Sequence, residues 1–391
     1  MSRLPGSEVQ AVLRACSLLR AFRYEGEVLA LPELVERTAL SKTTVFRLMA
    51  SIIAGGLAER AGKGRYRCLA QLAPTRSVRL GFAAQTDSEF SRNVTASLQA
   101  AAARRQVQLL TVNNRYSAQQ AVQNADYLIA ERVDLVLEFQ TYERVAPVIA
   151  AKFLDAKIPV IAVEIPHPGA TYFGANNYQA GLLAGRALGR WAKDNWNSNF
   201  DEIVLLDLPI AGSLLELRGS GVVAGLDEQV RGADSVPVTR LDAKGSFDRV
   251  LNAMRKFLRQ GKLRRRLVGA VNDVAALAAL TAFEEAGAHD YCAVVGQNGI
   301  RQARAELRRR GTRLIGTVAY FPERYGDDLV PLALTILQGK PIPPAVFARH
   351  QLLTAKNVNL VYAHDIKGPS AEFHHAEWEE DGKLWLARGG S

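Results

Sequence analysis

The chain has 391 residues and a globular composition, with 48% hydrophobic and 23% charged residues. That length exceeds one ordinary hydrophobic core, so two or three domains are expected. Its apolar runs fall short of the roughly 18 residues that a membrane-spanning helix needs. Three widely separated cysteines exclude a disulfide framework and fit a reducing compartment. The first residues lead into a charged amphipathic segment, unlike a signal peptide, so we expect a cytoplasmic protein without a membrane partner.

Positive charge is concentrated near the N-terminus. The net charge of the whole chain is +10, and residues 1–76 hold twelve Lys and Arg against six Asp and Glu. This concentration predicts a polyanionic partner. Charge alone leaves open that these residues form a solvated face.

The first 69 residues predict three helices and a hairpin. Apolar residues recur at helical spacing, and Gly62-Lys63-Gly64 supplies the permissive backbone of a hairpin turn. Cys16 falls within the first apolar pattern, so we expect it to be buried. The predicted elements are helices at 9–22, 31–38 and 41–54 and strands at 57–60 and 65–69.

The third predicted helix has one apolar face and one face suited to DNA. Ser41 is a good N-cap, and Val45, Leu48 and Met49 repeat at helical spacing. The opposite face carries cations and hydroxyls that suit phosphates and base edges. The residues predicted to contact DNA are Ser41, Lys42, Thr43, Thr44 and Arg47 on this helix and Lys63 and Arg65 on the hairpin.

This region resembles the winged helix-turn-helix DNA-binding domain of IclR-type regulators. The matching segments are 11–22, 31–48, 55–60 and 64–67. The resemblance implies a recognition helix at 41–54 and a wing at 62–65. One such module buries little surface on DNA, so we expect a homodimer on a palindromic double-stranded operator, with a tetramer left open. A winged-helix module for protein contacts is the alternative.

After a short linker at 70–76, strands alternate with helices in two consecutive sets. This alternation requires parallel sheets with right-handed crossovers. Two such lobes, with a return strand near 351–354, resemble the type I periplasmic-binding-protein fold of lac-repressor-like regulators and the ribose-binding protein. The matching segments are 172–181, 268–280, 294–299 and 316–326.

The predicted fold class is therefore α/β, with a winged helix-turn-helix followed by two Rossmann-like parallel-sheet lobes. We expect the DNA-binding domain at 1–69, the effector domain at 77–366 and a C-terminal tail at 367–391. Within the effector domain, lobe 1 is expected at about 77–175 plus a C-terminal return, and lobe 2 at about 200–320.

Ligands of open α/β sheets bind beyond the carboxyl ends of the strands. Aromatic, amide, carboxylate and guanidinium groups follow the predicted strands, and such a mixture suits a small polyol. His167 follows the same strand as Glu164. The residues predicted to bind the ligand are Asp87, Phe90, Gln140, Glu164, Arg218, Asn272, Asp273, Gln297, Asn298 and Tyr320.

The resemblance to sugar-binding relatives implies roles for some of these residues. Phe90 matches a phenylalanine that stacks on the sugar, and Arg218 matches an arginine that binds sugar oxygens. Glu164-Ile165 stands where relatives often carry Asp-Arg, and Gln297-Asn298 stands where they often carry Asp. These departures change the charge of the site, so the ligand need not be a plain pentose or hexose, and a modified sugar, a sugar acid or another polar metabolite stays open. Asn272-Asp273 is also compatible with a helix cap, and Arg218 with a surface position.

The sequence predicts a ligand-responsive bacterial transcription regulator, acting as a repressor or an activator. We expect no enzyme activity, cofactor or metal, because the sequence lacks metal-ligand spacing, a nucleophile elbow, a dinucleotide fingerprint and a P-loop. Two alternatives are a carbohydrate-binding transport protein with an atypical N-terminal extension, and a nucleoside or sugar hydrolase.

Overall fold

The computed structural model describes residues 9–24, 26–69, 77–242, 246–259 and 263–367. The predicted linker at 70–76 lies outside these residues, as does the predicted tail beyond residue 367. The described chain forms an N-terminal unit and two lobes, each with its own sheet.

The N-terminal unit is a winged helix-turn-helix. Its sheet is antiparallel, with strand order β1-β3-β2. The sequence predicts the β2–β3 hairpin from its glycine-containing turn but misses β1, whose three residues pair with the distant β3 and not with a strand adjacent in the chain. The elements are α1 (Gln10–Arg20), β1 (Val28–Ala30), α2 (Leu31–Thr38), α3 (Lys42–Ala54), β2 (Ala58–Arg60) and β3 (Arg65–Cys68).

The apolar face predicted for α3 is confirmed, since Val45 and Met49 are fully buried against Leu18 and Leu34. Cys16 is exposed, so the prediction that it is buried is wrong. Helix α1 packs on the core through its C-terminal part only, and its first turns face solvent.

Lobe 1 is a six-stranded parallel sheet in the order β14-β8-β7-β6-β4-β5. Its central strands are buried on both faces, as expected of a sheet covered by helices on two sides. The strands are β4 (Arg79–Ala84), β5 (Gln108–Asn113), β6 (Leu135–Glu138), β7 (Val160–Val163), β8 (Thr171–Gly174) and β14 (Ala345–Phe347). The helices are α4 (Glu89–Arg104), α5 (Ala118–Ala130), α6 (Ala146–Asp155) and α12 (Tyr325–Leu337).

Lobe 2 is a six-stranded sheet in the order β10-β9-β11-β12-β13-β15, in which only β15 is antiparallel. The strands are β9 (Glu202–Asp207), β10 (Val238–Asp242), β11 (Arg266–Ala270), β12 (Cys292–Asn298), β13 (Leu314–Ala319) and β15 (Gln351–Leu353). The helices are α7 (Asn177–Trp196), α8 (Ser213–Gln229), α9 (Phe247–Arg259), α10 (Asp273–Glu285) and α11 (Arg301–Leu307), followed by the short α13 (Val358–Val361) and α14 (His364–Lys367).

The chain crosses between the lobes at residues 175–176, 320–324 and 348–350. Lobe 2 therefore begins with α7 at Asn177 rather than near residue 200, and 325–347 returns to lobe 1. The predicted return strand belongs to lobe 2 as β15, and β14, which the sequence does not predict, is the strand that rejoins lobe 1.

Helix α7 belongs to lobe 2 because it packs very closely on α8. A Cβ atom at Gly181 or Gly185 would clash with the main chain of α8 at Arg218 or Val222. Only glycine permits this approach. The contact fixes the start of α7 beside Arg218, at the floor of the cleft between the lobes.

The described residues contain no helix that is both long and apolar enough to cross a membrane.

Candidate functional site

The exposed face of α3 is the first candidate site. Thr43, Phe46, Arg47 and Ala50 share this face at i, i+3, i+4 and i+7, and all four are exposed, as is Lys42. Phe46 keeps 50% of its surface exposed. The sequence-based interpretation did not include Phe46, although its spacing from Thr43 and Ala50 already placed it there.

Ser41 and Thr44 are engaged with each other at the start of α3. The Ser41 hydroxyl accepts a 3.3 Å hydrogen bond from the Thr44 amide, and the two side-chain oxygens lie 2.8 Å apart. Thr44 is half-buried. The two hydroxyls therefore cap the helix and fix its first turn, whereas Lys42, Thr43 and Arg47 point outward.

The wing places the other two predicted DNA contacts in solvent. Lys63 lies between Gly62 and Gly64, and Arg65 follows Gly64; both side chains are exposed. The φ angles of the two glycines are +129° and +68°. The Leu31 amide donates a 3.0 Å hydrogen bond to the Gly64 carbonyl, which ties the wing to the start of α2. The exposed faces of α3 and the wing together carry cations suited to a DNA backbone.

The second candidate site is the cleft between the lobes, where Glu164 is the central acceptor. Its Oε1 accepts a 2.5 Å hydrogen bond from the Tyr325 hydroxyl, and its Oε2 accepts a 3.4 Å bond from the Ala175 amide. Burial and the neighbouring Glu164 raise the pKa of Tyr325 well above its usual range, so Tyr325 stays a donor. Phe90 packs edge-to-face on Tyr325, with ring centroids 5.7 Å apart.

Arg218 is buried and held from several directions. Its Nε donates to Asn177 Oδ1 at 2.6 Å, and its Nη1 donates to the Val271 carbonyl at 2.8 Å. Its Nη2 lies 3.8 Å from Glu164 Oε2, and its guanidinium carbon lies 5.0 Å from the Tyr320 ring centre. The charge of Arg218 is thus compensated within the protein, and the compensated pair spans the two lobes.

Tyr320 and Gln297 complete this floor. The buried Tyr320 hydroxyl donates to Gln297 Oε1, and burial raises the pKa of Tyr320 above its usual range. The structure therefore brings Phe90, Glu164, Arg218, Gln297 and Tyr320 into one connected set of contacts.

Gln140 and His167 offer buried polar atoms without a partner among the described residues. Gln140 Oε1 accepts from the Tyr142 amide, which leaves Nε2 as an unused donor. Burial lowers the pKa of His167 to about 4, so this ring is neutral at pH 7. Its Nδ1 lies 2.9 Å from the Ile165 carbonyl, which can only accept, so its buried Nε2 is an unused acceptor.

Besides Gln140, four predicted ligand residues lie apart from this set of contacts. Asp87 is exposed and accepts a 2.8 Å hydrogen bond from Asn113. Asn272 caps α10 by accepting from the Ala275 amide at 2.9 Å. Asn298 is half-buried at the end of β12, where its φ angle is +104°.

Asp273, the fourth, lies inside lobe 2. One of its carboxyl oxygens accepts a 2.5 Å hydrogen bond from the Thr317 hydroxyl, and the other accepts a 2.8 Å bond from the Ile300 amide. Burial raises its pKa to about 7, although these hydrogen bonds lower it. Both oxygens are occupied by protein groups, so the carboxyl group holds the loop before α11 in place.

Sequence reasoning missed Tyr325 and Asn177 in the cleft. Both are first residues of helices that follow a lobe crossing, and both lie within the segments that carried the fold resemblance. Their position at a crossing was the available signal, since a crossing residue faces both lobes. No group of three or more His, Cys, Asp or Glu in the described chain could hold a metal ion.

The lobes touch at both sides of the cleft mouth. Glu89 Oε1 of lobe 1 accepts a 2.8 Å hydrogen bond from the Arg301 amide at the start of α11. The Glu143 carboxylate packs against Gly212, which precedes α8 and has a φ angle of +90°. Each contact sets a lobe 1 carboxylate at the N-terminus of a lobe 2 helix, where negative charge is favoured.

The winged helix-turn-helix is docked on lobe 1, at the C-terminal end of α12. The Tyr24 hydroxyl donates a 3.5 Å hydrogen bond to the Leu337 carbonyl. A Cβ atom at Gly26 would lie 3.2 Å from the Gln338 side chain, and one at Gly339 would lie 3.0 Å from Val28. Lys157 of lobe 1 and Glu36 of α2 form a further contact between the two units, an exposed 2.7 Å ion pair.

Comparison with known families agrees with both units. Residues 82–341, about two-thirds of the chain, match the periplasmic binding protein domain. Residues 11–62 match the IclR helix-turn-helix domain. No curated protein sequence matches the chain.

Several solved structures share the two-lobed fold. A solute-binding protein from Actinobacillus succinogenes with bound D-allose is 17% identical, with a TM-score of 0.63 over 73% of this chain and 99% of its own. One from Bacillus halodurans with bound myo-inositol is 22% identical, with a TM-score of 0.64 over 73% and 98%. One from Mycobacterium smegmatis with bound glycerol is 20% identical, with a TM-score of 0.66 over 73% and 97%. At these identities the likeness establishes the fold.

Proposed function

The chain belongs to the periplasmic binding protein domain family, and from this and its IclR helix-turn-helix domain we propose that it is a cytoplasmic transcription regulator. In this proposal the N-terminal unit binds double-stranded operator DNA, and the two-lobed domain senses a small sugar or polyol. The contacts at the two ends of α12 carry the proposal, because one helix touches both the cleft and the DNA-binding unit.

The proposed DNA contacts are the outward residues of α3 and the wing. Lys42, Thr43 and Arg47 would meet base edges and phosphates in the major groove, and Lys63 and Arg65 would reach the backbone beside it. Ser41 and Thr44 would act by capping the helix. A homodimer would supply two such units for a palindromic site, because one winged domain alone offers a small interface.

The cleft favours an uncharged ligand. Arg218 already faces Glu164 and two oxygen acceptors, so it has no excess charge for an anionic ligand. The unused donor of Gln140 and the unused acceptor of His167 suit hydroxyl groups, which both donate and accept. The Phe90 ring would pack on a C–H face. D-allose, myo-inositol and glycerol in the related folds belong to this chemical class.

Lobe closure would couple ligand binding to the affinity for DNA. A ligand that bridges the lobes stabilises the closed arrangement in which Glu89 and Glu143 meet lobe 2. The winged domain is docked on lobe 1. A change in the relative position of the lobes would therefore change the relative position of the two recognition helices in a dimer. The proposed domains are a DNA-binding domain at 1–69 and an effector domain at 77–366, joined by a linker at 70–76.

A carbohydrate-binding transport protein is the second candidate, since the similar structures are solute-binding proteins. Those folds cover 73% of this chain and account for the two lobes only. The docked winged domain with its basic exposed face favours regulation.

The test is a selection of DNA duplexes from a randomised pool by the full chain, together with a thermal-shift screen of sugars and polyols. We expect an enriched duplex with two symmetric half-sites and a neutral polyol that raises the melting temperature and changes affinity for that duplex. Polyol binding without an enriched duplex would favour the transport protein. Failure of both would overturn the proposal.

A further inference from the structure

Phe46 is an exposed aromatic residue on the face of α3 that carries the proposed DNA contacts. Half of its surface is accessible, whereas Phe22 and Tyr66 of the same unit are 6% and 3% exposed and belong to its core. Phe46 therefore contributes little to the packing of the winged domain, and its exposure calls for another explanation.

The neighbours of Phe46 form a narrow apolar strip between cations. Thr43 precedes it by three residues and Ala50 follows it by four, so a methyl group, a ring and a second methyl group line one face of the helix. Lys42 and Arg47 flank the strip and are exposed. A polyanion fits this arrangement better than an apolar protein surface does, because docking such a surface would bury both charges.

Within a DNA major groove, thymine alone among the four standard bases presents an apolar group, its C5 methyl. We propose that Phe46 determines operator specificity by packing on the C5 methyl group of a thymine in each half-site. Thr43 and Ala50 would border the same methyl group, and Lys42 would hold a flanking phosphate. This inference rests on the proposed function and adds the chemical identity of one base pair to it.

The experiment uses the full chain and the duplex enriched from the randomised pool. Each thymine of a half-site is replaced in turn by deoxyuridine, which removes the C5 methyl and keeps the hydrogen-bonding pattern. We expect a single thymine position in the half-site to be sensitive. Its replacement should weaken binding about fourfold, as the loss of one buried methyl group predicts. The Phe46→Ala variant should bind the thymine duplex more weakly. For this variant, the same deoxyuridine replacement should lower the affinity less than about twofold.

Two variants make the result specific. Phe46→Leu keeps an apolar side chain and should retain part of the methyl dependence. Tyr127→Ala removes another exposed aromatic residue, 46% accessible on α5, and should leave the fourfold effect unchanged. Circular dichroism melting of each variant reports whether the winged domain is still folded.

Two outcomes would overturn the inference while leaving DNA binding intact. One is an enriched duplex whose affinity is indifferent to every deoxyuridine replacement. The other is a Phe46→Ala variant that loses affinity equally for both duplexes, or changes its sedimentation without DNA, which would assign Phe46 to a sugar–phosphate or protein contact. Absence of any enriched duplex would overturn the proposed function and this inference together.

Discussion

The Tyr24 hydroxyl of the winged domain donates a 3.5 Å hydrogen bond to the Leu337 carbonyl at the end of α12. At the other end of this helix, Tyr325 donates to Glu164 in the cleft. The two contacts are made by the first and the last of the thirteen residues of this helix, about 18 Å apart along its axis. The proposed sensor and the proposed DNA reader thus share one helix.

The Tyr24 contact predicts a separation of ligand binding from DNA response. Tyr24 packs on the lobe 1 core and lies outside the core of its own unit. Tyr24→Ala should keep operator affinity without ligand and reduce the ligand-induced change in affinity at least threefold, since the winged domain would no longer follow lobe 1. Fluorescence anisotropy titrations with and without ligand measure this, with Tyr127→Ala as control. An unchanged ligand effect would contradict the role of this contact.

Arg218 predicts a loss of ligand sensing that is independent of DNA binding. Arg218→Met should abolish the ligand-induced thermal shift and leave operator affinity unchanged, because Arg218 lies in the cleft. The variant also leaves the largely buried Glu164 carboxylate without its cationic partner, which costs up to about 3–5 kcal/mol of stability. Differential scanning calorimetry and a ligand titration measure the two effects.

A double variant separates folding from binding. Arg218→Met with Glu164→Gln removes both charges and should recover most of the lost stability while ligand binding stays absent. Arg255→Met, at an exposed arginine paired with Glu285, is the matched control and should behave like the unmodified chain. A double variant that binds ligand normally would remove Arg218 from the site.

The sequence predicts the elements whose hydrophobic pattern repeats over many residues. Prediction fails where the structure depends on contacts between distant segments. The apolar face of α3 and the alternation of strands and helices follow from spacing alone. Strand β14 does not, because its three residues gain their conformation from pairing with β8, about 170 residues earlier in the chain. The floor of the cleft shows the same limit, since Tyr325 reaches Glu164 only after the second passage between lobes. Asp273, predicted as a ligand contact, is polar for an internal reason that sequence spacing cannot reveal.

Glu138 predicts a pH dependence of stability. It is fully buried, Asn114 donates a 3.0 Å hydrogen bond to its Oε1, and burial raises its pKa from 4.5 to about 8. The folded protein therefore holds a proton that the unfolded chain releases, so stability falls as pH rises from about 5 to 8, by on the order of 3 kcal/mol or less. Glu138→Gln should flatten this part of the profile, measured by urea unfolding at several pH values. Glu216→Gln, at an exposed position of α8, should leave the profile unchanged.

Arg47 predicts a difference between specific and non-specific binding. Its side chain is exposed on the same face as Thr43. Arg47→Ala should weaken operator binding by about 1–3 kcal/mol and non-specific binding much less, if the guanidinium reads a base edge. Titrations at several salt concentrations, with the exposed Lys193→Ala of lobe 2 as control, measure both affinities. Equal losses on both kinds of DNA, with a salt slope reduced by about one, would make Arg47 a phosphate contact.

A Glu89 variant tests how much the stability of the closed arrangement depends on a carboxylate at the start of a lobe 2 helix. Its Oε1 is bonded to the Arg301 amide across the cleft mouth. Glu89→Ala removes this acceptor and should cost the closed state about 1 kcal/mol, because the hydrogen bond is exposed to water. Ligand affinity should fall about fivefold through faster dissociation, and the radius of gyration from small-angle scattering should increase without ligand. Glu131→Ala, which removes a carboxylate of lobe 1 paired within its own lobe with Arg79, should change neither quantity. If Glu89→Ala left the dissociation rate unchanged, closure would depend on the ligand and the cleft floor alone, and the contacts at the mouth would follow closure without favouring it.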